Sequence, residues 1–186
     1  MGLQADNDLF DAQTQFVLNA QYAEPINPGG LRQTVVLQDM KGRAQITVIF
    51  EMYPNQPVLR YIQKYKNLTA GTTHISFINM VPWAFEDTGK RFNAFRVDQW
   101  SVVSRPEDFQ TQQTLLDTIG TAVQVFSGAD GQQCGWLALR DSDQRGLFAG
   151  WEFDGRTKTT VRQDGSIGFV QFSSTILDLN HPVESN

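Results

Sequence analysis

Two carboxylates, Glu152 and Asp154, stand two positions apart in Gly146-Leu147-Phe148-Ala149-Gly150-Trp151-Glu152-Phe153-Asp154-Gly155-Arg156. On a strand that spacing places both on one face, about 7 Å apart. Carboxyl pairs separated by about 5 to 10 Å cleave glycosidic bonds, one as acid and the other as nucleophile or base. Trp151 and Arg156 beside them offer a ring for sugar C–H patches and a donor for hydroxyls. The stretch also reads as an ordinary strand entering an Asp154-Gly155 turn, with Glu152 outward and Trp151 and Phe153 inward. Glu86-Asp87, after Val81-Pro82-Trp83-Ala84-Phe85, is a further acidic candidate in an exposed loop.

Other chemistries find less support. The single cysteine, Cys134, precludes a disulfide within the chain, and its neutral neighbours give no cause for a lowered thiol pKa. His74 and His181 lie far apart, without metal-ligand spacing and without a nucleophile elbow, so neither a metal nor a cofactor is expected. Gly128-Ala129-Asp130-Gly131 is a turn rather than a phosphate loop, because no helix start or lysine follows it. The tryptophans Trp83, Trp100, Trp136 and Trp151 fall in four separate strand-like regions. Trp136, in an apolar run, is expected in the core. Trp83 follows a proline at a strand end, a rim position, and Trp100 fits either side of its strand.

The elements that must position these residues are strands. In Gln45–Met52, Ile46, Val48, Phe50 and Met52 share one face, with Thr47 and Glu51 on the other. Similar alternation marks about a dozen runs, among them Leu147–Phe153, Ile167–Phe172 and Thr175–Leu179. Asn27-Pro28-Gly29-Gly30, Pro54-Asn55-Gln56-Pro57 and Met40-Lys41-Gly42-Arg43 punctuate them, and Asp164-Gly165 predicts a two-residue hairpin. Pro106 to Ile119 alone has partly helical spacing, with Ser104 and Glu107 as a capping box and Gly120 as a stop, so at most one short helix or an irregular crossover is expected. The 186 residues, 40% hydrophobic and 19% charged, suit a single antiparallel β-sandwich domain over 1-186. A net charge of −5 argues against nucleic acid as a partner, and Arg60, Lys64 and Lys66 read as one solvated strand face. No run nears the ~18 apolar residues of a membrane span, and no signal peptide is legible. Met1-Gly2 could stand where a leader was removed from a periplasmic or secreted parent. Asn67-Leu68-Thr69 matches the N-glycosylation pattern.

Four segments resemble the N-terminal β-supersandwich of the family 36 glycoside hydrolases, the α-galactosidase group: Pro57–Gly71, Phe95–Val103, Gly146–Arg156 and Ser174–Ser185. The resemblance implies an all-β, antiparallel sandwich of the galactose-mutarotase type. It also implies a following (β/α)8 barrel that carries the catalytic aspartates. Such a barrel needs ~250 residues, which do not follow Leu179 here, so no catalytic residue transfers. The implied function is that of a non-catalytic accessory domain of a glycoside hydrolase, packing on the barrel of the same parent chain, shaping the carbohydrate entrance and supporting a homo-oligomer. Trp83, Trp100, Trp151, Asp154 and Arg156 are the candidates for carbohydrate contact. A free-standing carbohydrate-binding module is the alternative. A mutarotase-like epimerase would need a His and Glu pair, which neither His74 nor His181 matches.

Overall fold

The computed structural model describes residues 2–11, 13–86, 89–99, 109–127, 135–152, 155–164, 169–176 and 179–185, with backbone alone at 80–83, 85, 99 and 127. It is all-β. The strands are β1 (Gly2–Ala5), β2 (Asp8–Phe10), β3 (Phe16–Ile26), β4 (Gly30–Asp39), β5 (Ala44–Met52) and β6 (Leu59–Asn67). They continue with β7 (Thr73–Glu86), β8 (Phe92–Gln99), β9 (Phe109–Leu116), β10 (Ala122–Ser127) and β11 (Trp136–Arg140). The last are β12 (Gly146–Gly150), β13 (Thr157–Gln163), β14 (Phe169–Ile176) and β15 (His181–Val183).

The chain forms two compact units, Gly2–Ser76 with Asn180–Asn186, and Phe77–Leu179, the boundary falling inside β7. In the first unit β3-β4-β5-β6 make an antiparallel meander. Its register is set by turn chemistry: the pairing of Met52 with Leu59 centres the connection on Pro54-Asn55-Gln56-Pro57. β15 pairs with the start of β7, Pro182 opposite His74. Alternation buries Ala44, Ile46 and Val48 on β5. Phe10, 1% exposed, meets the rings of Phe16 and Tyr65 at 6.3 Å each, and Arg43 covers it from 5.0 Å.

In the second unit two antiparallel sheets share one core. One runs β10-β13-β14 and on to the later part of β7; the other runs β12-β11-β8-β9. The core takes Val123, Val125, Val161, Val170 and Phe172 from the first sheet and Ala94, Leu116, Leu137 and Leu139 from the second. That is a sandwich, each strand giving every second side chain to the interior.

Several expectations are corrected. Residues 109–116 are strand, not helix: β9 pairs with β8 from Phe92 opposite Leu116 to Gln99 opposite Phe109. Its residues, FQTQQTLL, carry no continuous apolar helical stripe. Leu116 is fully buried while Ile119 is 71% exposed, so the supposed helical face does not exist. Ser104 and Glu107 lie outside the described residues. Asp164-Gly165 is not a two-residue hairpin, because Gln163 pairs with Val170 and the Asp164 amide donates to Phe169 O at 3.0 Å. The longer connection sets Val161 against Phe172, both in the core, where a tight turn would have set it against glycine. The described parts of the runs Ile167–Phe172 and Thr175–Leu179 belong to one strand, β14, whose pairing with β7 is irregular between Phe172 and Ser174. Asn67 is no accessible glycan acceptor. Its side chain is buried and its amide nitrogen donates to Gly71 O at 2.6 Å and Val183 O at 3.1 Å.

Candidate functional site

The hairpin of β11 and β12 places chemistry on the outer face of its sheet. Leu137 and Leu139 point into the core, so Trp136, Ala138 and Arg140 face away from it. On β12, Leu147 and Ala149 pack toward the core, leaving Gly146, Phe148 and Gly150 outside. The expectation that Trp136 is core is therefore corrected: the period-two alternation of its strand outweighs the apolar run around it. Trp136 packs against Phe148 with ring centroids 5.3 Å apart and planes tilted by 36°, and Phe148 is 65% exposed. Close approach requires glycine at 146 and leaves tight space at 150. A Cβ at Gly146 would stand 2.8 Å from Leu139 O, and one at Gly150 would stand 3.3 Å from Trp136 Cβ. Across the sheet Ala138 pairs with Phe95 of β8, and the Arg140 guanidinium lies 5.1 Å from the centre of the Phe95 ring. A shallow depression of about 400 Å³ opens here between Phe95, Ala138, Arg140 and Phe148.

The turn that closes the hairpin is built around Asp141, only 3% exposed. Its carboxylate accepts from the Asp143 and Arg145 amides at 2.9 and 2.8 Å and from Arg145 Nε at 2.9 Å. Burial pushes the Asp141 pKa up, but the hydrogen bonds and charge of Arg145 outweigh it and hold the group below the usual carboxylate range. Lys90 Nζ donates to Asp143 Oδ2 at 2.5 Å. Gln144 sits at the tip with φ 66°, a left-handed conformation that costs about 1 kcal/mol or more for a residue with a Cβ.

The sequence-predicted residues stand on several elements, and two of the five lie outside the described residues. Trp83 stands on β7 opposite Phe172 of β14. Trp100, Asp154 and Cys134 lie outside the described residues. β12 ends at Gly150, earlier than the predicted Phe153, so Trp151 and Glu152 follow the strand rather than alternate along it. Trp151 is half-buried. Its Nε1–H donates to Thr159 Oγ1 at 3.0 Å, which in turn lies 2.7 Å from Ser174 Oγ. The indole is thus anchored on β13 and β14 by its polar edge. Replacing Trp151 by phenylalanine should lower stability by about 1 kcal/mol, the usual net worth of one such bond; thermal unfolding of the variant measures it. Arg156 is exposed, immediately before β13.

Arg60, read as part of a solvated face, belongs instead to a row across four strands: Glu24, Arg32, Glu51 and Arg60 stand opposite one another in turn. Arg32 Nε and Nη2 both donate to Glu51 Oε1, at 2.8 and 2.6 Å, and Arg60 Nη1 donates to Oε2 at 3.3 Å. Asp39 is clamped similarly by Arg43. Hydrogen bonds from Arg43 hold Asp39 below the ordinary carboxylate range, and those from Arg32 do the same for Glu51. A general acid needs a raised pKa. The described carboxyls with displaced pKa values, Asp39, Glu51 and Asp141, all move down, so their chemistry is structural pairing. Among the described residues no group of three or more His, Cys, Asp or Glu side chains is placed to hold a metal ion.

Solved structures share this fold. The galactosidase domain of the α-galactosidase-sucrose kinase AgaSK superposes with a TM-score of 0.74 at 12% identity, over 93% of this chain and 26% of that one. The GH36 α-galactosidase AgaA from Geobacillus stearothermophilus gives a TM-score of 0.67 at 11% identity, over 98% of this chain and 28% of that one. The α-galactosidase from Lactobacillus brevis gives 0.66 at 9% identity, over 98% and 28%. The chain therefore spans about a quarter of the length of the structures it matches. No family model and no curated protein matches the sequence.

Proposed function

We propose that this chain is a non-catalytic sandwich domain of an α-galactosidase-like glycoside hydrolase, which packs on a (β/α)8 barrel of the same parent chain and borders the entrance for carbohydrate. The observation that carries the reading is one of proportion. Nearly all of this chain shares its fold with only 26% of an α-galactosidase chain, at a TM-score of 0.74. The fate of its acids supports the same reading. Asp39, Glu51 and Asp141 are locked to arginines and kept ionised, as in scaffolding rather than in an acid and nucleophile pair. In the parent, Trp83, Trp100, Trp151, Asp154 and Arg156 are the contact candidates near the sugar. A galactose-mutarotase type of sandwich and a role in homo-oligomer contacts belong to the same proposal.

A free-standing carbohydrate-binding module is the second reading. The outward Trp136 and Phe148 pair favours it, since a binding module needs exposed rings. The test is the hydrolysis of a chromogenic α-galactoside by this chain alone and by the parent protein with and without the domain. The expected result is no turnover by the chain alone and a loss of activity in the parent lacking it. Turnover by the chain alone would overturn the non-catalytic assignment. Unchanged activity of the shortened parent would overturn the accessory role.

A further inference from the structure

We infer that the depression on the outer face of β8, β11 and β12 is a binding site for one pyranose ring of an oligosaccharide. The site lies wholly within Phe77–Leu179 and does not depend on a parent barrel. Its walls are the rings of Phe95 and Phe148, and its floor is Ala138, paired directly with both. A small residue between two rings leaves a recess flanked by aromatic surface, the shape that takes the C–H patches of a sugar. Gly146 keeps the β12 side of that recess free of any side chain, and the sheet would not admit one there.

The rim is polar and pre-set. Arg140 is fixed over Phe95, and Gln144 projects from a turn that the buried Asp141, Arg145 and the Lys90–Asp143 pair hold in place. Guanidinium and carboxamide are the donors and acceptors that hydroxyl groups take. The recess is open and shallow, so it offers a surface to one ring rather than enclosing a ligand.

The test is a titration of the full chain, followed by amide NMR shifts. The probes are galactose-, glucose- and mannose-terminated neutral tetrasaccharides, with adenosine monophosphate as the aromatic anion control. At least one tetrasaccharide is expected to give saturable shifts at Phe95, Arg140, Gln144, Gly146 and Phe148. Phe148→Ala is expected to weaken that binding at least tenfold, and because Phe148 is 65% exposed the variant should keep its fold. Gln144→Gly is expected to weaken binding several-fold while leaving the unfolding midpoint unchanged or raised, since glycine accepts the left-handed backbone. Absence of shifts at these amides with every tetrasaccharide would overturn the inference. So would equal affinity in Phe148→Ala, or tighter binding of the nucleotide than of any sugar.

Discussion

Replacing Arg43 by alanine is expected to destabilise the protein by about 3 kcal/mol, because it leaves a buried carboxylate without its partner. Asp39 is 3% exposed at the end of β4. Arg43 reaches it across a four-residue turn, Nε and Nη2 forking onto its two oxygens at 2.8 and 3.1 Å while the Arg43 amide adds a bond at 3.2 Å. The same guanidinium also donates to Asp8 and covers the Phe10 ring. One side chain thus joins the β4–β5 turn to β2. Lysine at this position keeps the charge but not the fork, so Arg43→Lys should recover less than half of the loss. Urea unfolding of the two variants measures both effects. The acid limb supplies an independent check. Arg43 depresses the Asp39 pKa, so the stabilisation is fully present above the unfolded value of about 3.9 and is lost as pH falls through the lower folded value. Arg43→Ala should therefore show a shallower loss of stability below about pH 4 than the parent sequence.

Asn67→Ala is expected to cost about 2 to 3 kcal/mol and to release the C-terminal strand. The Asn67 carboxamide is fully buried and its polar atoms are used on both sides. Nδ2 donates to Gly71 O and Val183 O, and Oδ1 accepts from the Thr69 amide at 2.9 Å and the Thr69 hydroxyl at 2.8 Å. Alanine would strand the carbonyl of Val183, at the end of β15, and open the turn from Asn67 to Gly71. Asn67→Asp should be nearly as damaging, since a carboxylate keeps the Thr69 bonds but turns a donor toward two carbonyls into a charge. Hydrogen exchange would show the loss first at His181–Val183 and at its β7 partners Thr73–Ile75.

These two residues also mark what could be read from the chain. The turn Pro54-Asn55-Gln56-Pro57 is symmetric about the observed pairing, so the β5–β6 register was legible, and with it the meeting of Glu51 and Arg60. The face assignments were less so. Glu51 alternates onto the predicted outward face, yet it is 2% exposed because Arg32 and Arg60 close over it. Met52, on the predicted inward face, is 47% exposed at the end of its sheet. Period two separates the sides of a strand but does not tell which side is covered. The triplet at Asn67 matched a glycosylation pattern because Asn and Thr two positions apart serve equally well as a self-bonded turn. β9 was missed since its polar residues, rich in glutamine and threonine, carry only one deeply buried apolar side chain, Leu116.

The candidate site was legible in its parts and not in its assembly. "GLFAGWEFDGR" drew notice for Trp151 and its acids, but the strand ends before them and the indole is tied down by Thr159. Among the described residues of that stretch the exposed ring is Phe148, whose neighbours Phe95 and Ala138 come from other strands. Alternation along Trp136-Leu137-Ala138-Leu139-Arg140 was the available signal, since two leucines in register leave the tryptophan outside.

The most direct test of the accessory-domain account is the coding sequence that follows Asn186 in the source gene. The account predicts an in-frame continuation of several hundred residues, with alternating strands and helices and aspartates at strand ends. A stop codon directly after Asn186 would contradict it and leave the chain to act through its own sugar-sized recess.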